Sequence, residues 1–139
     1  MDTNQLIFPM FAMVLLTFSV LVRLFLARRK AVAEGAVSAA YFKVYQGNAE
    51  PEWSAKLARD FANLFEAPVL FYAACVAGMA LHVTGVLFLG LAWTYVVLRV
   101  VHTSIHTGAN SLYPRIFAYF ASWIVLLSMW AFLAIRSAG

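Results

Sequence analysis

Apolar side chains run almost without interruption through four stretches of the chain, at roughly 6–27, 57–82, 85–103 and 113–136. Each holds about 18 residues or more, the length a helix needs to cross a hydrocarbon core about 30 Å thick. No water satisfies a backbone at that depth, so the segments are expected to be helices, which pair their own amide groups. The pattern therefore predicts an all-α fold: one integral membrane domain over 1–139, with four spans. The only long polar connection is the segment 28–56. Within it Tyr41, Phe42 and Tyr45 suggest a short interfacial turn, and Pro51-Glu52-Trp53-Ser54 reads as the start of the second helix. His82-Val83-Thr84-Gly85 is short enough only for a tight turn, which makes the second and third spans antiparallel neighbours.

Polar residues inside the spans follow a helical period. In the second span Arg59, Asn63 and Glu66 are spaced four and then three residues apart, which predicts one shared face, with Pro68 kinking the helix just beyond. Arg99, His102 and His106 share a face near the end of the third span, and Arg115, Tyr119 and Ser122 share one in the fourth. All three stripes lie toward the same side of the membrane. A carboxylate at such depth is costly without a partner, and Arg59, Arg99 and Arg115 are the candidates for Glu66. One acid against several guanidinium groups points to a pocket for an anionic ligand, with a purely structural network as the alternative.

Composition narrows the class. Of 139 residues 64% are hydrophobic and 12% charged, and the mean hydropathy is +0.83, which excludes an ordinary soluble domain. The net charge of +4 does not imply nucleic acid: four spans place all of the ten lysines and arginines except Arg136 on one side. That asymmetry predicts a cytoplasmic first loop, with both termini opposite. The first residues lack the basic segment of a secretory signal, so the first apolar run is read as a retained span. Cys75 is the single cysteine and is expected to be a small core residue. His102 and His106 have the i, i+4 spacing of two metal ligands, but no acidic third ligand accompanies them and nearby arginines oppose a cation; no metal is expected.

Taken together, Arg59-x-x-x-Asn63-x-x-Glu66-x-Pro68, Arg99-x-x-His102 and Arg115-x-x-x-Tyr119 resemble the pattern of the MAPEG family, membrane-associated proteins of eicosanoid and glutathione metabolism. The resemblance extends over nearly the whole chain. It implies a four-helix bundle assembled as a homotrimer, with glutathione as cosubstrate between neighbouring subunits near the cytoplasmic face. It further implies that Arg59, Asn63, Glu66, His102 and Tyr119 contact glutathione and that Arg115 stabilises its thiolate. Arg28, in the basic end of the first span, is implied to touch a glutathione carboxylate. Three positions depart from the prostaglandin-synthesising branch: Ala62 replaces an arginine, His106 a tyrosine and Ile116 a serine, so eicosanoid synthesis is not expected. The expectation is a divergent member of a bacterial inner membrane, a transferase or peroxidase acting on a lipophilic electrophile. Two alternatives stay open: a non-catalytic lipid-binding or scaffolding subunit, and a small proton-coupled exporter using Glu66.

Overall fold

The computed structural model describes residues 3–47, 49–83 and 85–138. Asn48 of the polar loop and Thr84 of the expected tight turn lie outside the described residues. Among the described residues all regular structure is helical: a short 3-10 turn at Thr3–Leu6, then α1 (Ile7–Ala33), α2 (Tyr41–Val44), α3 (Glu52–Asn63), α4 (Ala67–Ala80), α5 (Val86–Thr107) and α6 (Leu112–Ala138). Four segments are long and apolar enough to cross a membrane, with α3 and α4 together forming the second. The chain is a four-helix membrane bundle.

The ends of the helices follow from local chemistry. α1 continues past the apolar run through Arg28, Arg29 and Lys30 because no glycine or proline interrupts it before Gly35. There Gly35 takes a left-handed φ of 71°, and the Ala36 N–H reaches back to the Ala31 carbonyl at 3.0 Å. This is a glycine-dependent C-terminal cap. α3 begins at Glu52, directly after Pro51, as the sequence led one to expect. At the far end of α5, Asn110 adopts a φ of 53° and its N–H bonds the Ile105 carbonyl at 2.8 Å. The chain thereby reverses into α6.

The second span does more than bend. Pro68 has no N–H to give to the preceding turn, and the helix stops at Asn63 and restarts at Ala67. Glu66 sits between the two pieces with φ −94° and ψ −99°. The stripe expected to carry Arg59, Asn63 and Glu66 on one continuous face is therefore interrupted. Arg59 and Glu66 are exposed on the single chain and Asn63 is half-buried.

The core lies between α1, α4, α5 and α6. The rings of Phe71 and Tyr95 stack 4.6 Å apart, packed among Met13, Cys75, Leu126 and Met129, all buried. Small residues allow close approach of helices where lipid supplies no hydrophobic drive between them: Ala74, Gly78 and Ala92 are all buried. A second cluster of Leu24, Ala27 and Leu57 joins α1 to α3. Outside, Phe8, Phe11, Phe18 and Phe25 of α1 and Phe117, Phe120, Ile124 and Leu127 of α6 are exposed, as suits lipid-facing surfaces.

Gly78 is the tightest of these approaches: a β-carbon there would lie 2.6 Å from Cε1 of Phe88, whose ring is buried and rests 5.6 Å from that of Phe132. Gly78→Ala is expected to cost about 1–3 kcal/mol through overpacking, read as a lower unfolding temperature in detergent. An unchanged temperature would mean that α4 and α5 do not meet at this point.

Candidate functional site

The polar stripes converge at the end of the bundle nearest the long loop. Two ties close that end: the Lys56 ammonium donates to the Gly108 carbonyl at 2.8 Å, and Arg28 pairs with Glu50 at 3.3 Å. Between α3, α5 and α6 lies a cavity of about 220 Å³ lined by Asn63, His102, His106, Arg115, Ile116 and Tyr119. α5 delivers its two histidines because Phe88, Ala92, Tyr95, Arg99, His102 and His106 form its buried stripe at spacings of three and four. The His102 ring lies 5.7 Å from those of both His106 and Tyr119. Among the described residues neither histidine Nδ1 has a hydrogen-bond partner. Arg115 enters from the first turn of α6 and donates through Nη1 to the Asn110 side chain. No carboxylate lines the cavity.

Behind this lining sits a layer of buried charge. Arg99 and Asp60 have no exposed surface. The Arg99 Nη2 donates to the backbone carbonyl of Asn63 at 3.1 Å, at the point where α3 ends. Its Nε and Nη1 have no hydrogen-bond partner among the described residues, and its guanidinium carbon lies 5.9 Å over the Tyr119 ring. On Asp60, Oδ1 accepts from the Thr103 hydroxyl at 3.4 Å and lies 3.7 Å from Nδ1 of His102. The other oxygen, Oδ2, has no hydrogen-bond partner among the described residues.

The model of the MAPEG family matches residues 6–135 of the chain. The chain belongs to the MAPEG family. No curated protein matches it, and no solved structure does.

Of the residues singled out in this MAPEG chain, Asn63, His102, Arg115 and Tyr119 meet around this cavity. Arg28, Arg59 and Glu66 do not. Arg28 is engaged in the loop instead: Nε faces Glu50, the guanidinium lies 4.9 Å over Phe42, and Glu50 also accepts from the Ser54 hydroxyl. Glu66 was expected to pair with Arg59, Arg99 or Arg115. Among the described residues it forms no ion pair, because the break before Pro68 turns it away from the bundle.

The buried acid is Asp60, which the Arg59-Asn63-Glu66 spacing had obscured. A signal for it was present. Leu57, Asp60, Leu64, Ala67, Phe71, Ala74 and Gly78 recur at spacings of three and four and are all buried, so Asp60 occupies a core position on an apolar stripe. Ile116, noted in the sequence only as a departure, and His106, expected on the face of Arg99 and His102, both belong to the lining.

Replacing Arg99 with Met would strip a donor from the Asn63 carbonyl and leave the Asp60 carboxylate buried with less opposing charge. The loss expected is about 1.5–3 kcal/mol, the range for a hydrogen bond from a charged group. Denaturation in detergent reads it; a loss under about 1 kcal/mol would show that Arg99 does not hold the break.

Proposed function

We propose that this MAPEG protein is a membrane-embedded glutathione-dependent transferase or peroxidase acting on a lipophilic electrophile. The observation that carries the reading is the cavity: one guanidinium, two imidazoles, an amide and a phenol face it, with no acid among them. Such a lining suits an anion. Glutathione brings two carboxylates and a thiol that reacts as the thiolate. Family membership supports the same chemistry, since its members are glutathione transferases or peroxidases, or are non-catalytic.

In this reading Arg115 holds the thiolate. A guanidinium does not deprotonate, so it is no base, but its fixed charge favours the ionised sulfur in a partly dry site. Asn63, His102 and Tyr119 bind the peptide. At about 220 Å³ the cavity falls below the roughly 300–1,000 Å³ usual for small-molecule sites. A neighbouring copy would supply the remainder, with the outward-facing Arg59 and Glu66 at that junction and Arg28 reaching a carboxylate once released from Glu50. This is the homotrimer of our proposal. The electrophile arrives from lipid, past Ile116, Phe117 and Phe120, which are exposed beside the cavity on α6. The loop end faces the cytoplasm, where glutathione is kept reduced.

Millimolar glutathione should raise the unfolding temperature of the purified protein, as any ligand of the folded state does. Arg115→Leu should lower turnover by about 100- to 1,000-fold, the usual loss for one donor to a developing anion. Its glutathione affinity should shift by less than about 5-fold, since the interaction is spent on the thiolate. Stabilisation by lipid alone, with no response to glutathione, would instead favour the non-catalytic scaffold.

A further inference from the structure

Arg115 steadies a thiolate but leaves unanswered where the thiol proton goes. Of the groups lining the cavity, a guanidinium has no acceptor, an amide is not basic, and a phenol is protonated at neutral pH. Only His102 and His106 remain, and their surroundings differ. His106 has positive neighbours in Arg115, Arg59 and Lys56, with no ion pair to a carboxylate. His102 has Asp60 Oδ1 3.7 Å from its Nδ1.

Asp60 is also poorly explained as a partner for Arg99. No Asp60–Arg99 ion pair occurs among the described residues. Arg99 spends its hydrogen bond on the Asn63 carbonyl, and Asp60 Oδ2 is left without a donor. A fully buried carboxylate is costly, yet this one faces an imidazole that lines the cavity while lying outside the lining itself.

We propose that Asp60 and His102 form a carboxylate–imidazole pair that takes the proton from the glutathione thiol. The inference rests on the glutathione reading above. Asp60 is a positioning residue and His102 the catalytic base. With the carboxylate at Nδ1, that nitrogen carries the imidazole proton and Nε2 is left as the acceptor. The present separation is longer than a hydrogen bond; contacts of this kind tighten once substrate fills a site. The S–H bond breaks, its proton passes to Nε2, and the electron pair stays on sulfur beside Arg115. That pair then forms the sulfur–carbon bond, while the electrophile's broken bond leaves its electrons on the departing atom. The departing atom takes the proton back from His102, which returns to neutral.

The test measures three quantities on the intact protein: the glutathione binding constant, the ultraviolet band of bound thiolate across pH, and turnover. The thiolate profile reports His102 together with the groups facing it, Asp60 from α3, Arg99 and His106 from α5, and Arg115 and Tyr119 from α6, with Arg23 of α1 acting on Asp60. His102→Gln and Asp60→Asn should each require a higher pH to form the thiolate, and Asp60→Asn, whose side chain lies outside the lining, should keep glutathione affinity within about 3-fold. His102→Gln should lower turnover about 100-fold or more, the usual contribution of a general base. The double variant should be no worse than His102→Gln alone, because the two act as one unit. His106→Gln should displace the thiolate profile less than His102→Gln does.

Additive losses, an unshifted Asp60→Asn profile, or a His106→Gln defect equal to that of His102→Gln would overturn the pair. If Asp60→Asn does not fold, His102→Gln decides alone: a wild-type thiolate band in that variant overturns the inference and a displaced one supports it. A wild-type protein that binds no glutathione would overturn the underlying function as well. Loss of turnover in Arg115→Leu, with none in His102→Gln, would remove this inference and leave that function standing.

Discussion

A guanidinium with no exposed surface, inside a bundle made to lie in hydrocarbon, is the constraint around which the site is built. Arg99 needs an acceptor, and a continuous helix has no spare carbonyl to give. At the break ahead of Pro68 the Asn63 oxygen, which accepts the Glu66 N–H at 3.3 Å, is also open to the guanidinium at 3.1 Å. The same irregularity that a proline forces on α3 and α4 thus receives the charge that α5 brings inward. Irregular backbone at membrane depth is tolerated where it borders a polar cavity, and this break does so. Asn63 closes α3 and lines the cavity.

From that join the rest follows in layers. Asp60 and Thr103 sit on the helices that Arg99 connects, so the carboxylate lies behind His102 and not in the cavity. The lining then keeps only neutral or positive groups. Arg115 reaches it from α6 because the left-handed Asn110 turns the chain sharply enough to bring the first turn of α6 beside the last turn of α5. The Lys56 and Arg28 ties hold the loop against this end, leaving the opposite half of the bundle to apolar packing around Phe71 and Tyr95.

Much of this was legible from the chain. Four apolar runs specify four spans, since length and hydropathy decide membrane crossing with little help from tertiary contacts. The Arg99-His102-His106 stripe was equally plain, and all three side chains are buried on one face. The second span was harder because a polar stripe and an apolar one run side by side in it with the same spacing. Arg59, Asn63 and Glu66 form one; Asp60, in step with Leu57 and Leu64, belongs to the other. Which turned inward was decided by packing of Leu57 on Leu24 and Ala27 and of Leu64 and Phe71 in the main core. Those contacts join distant parts of the sequence. Likewise the Arg28–Glu50 pair was not legible, because the two lie across an irregular loop, where no period links them.

The central claim is that side chains from three helices make a place for a thiol-bearing anion beside Arg115. It is tested most directly by a cryo-electron microscopy map of the protein in lipid nanodiscs with glutathione present. The account predicts tripeptide density filling the cavity between α3, α5 and α6 at a junction of neighbouring copies, its sulfur against Arg115 and His102. An acyl chain occupying that cavity, or glutathione density elsewhere with Arg115 turned to the headgroups, would contradict it.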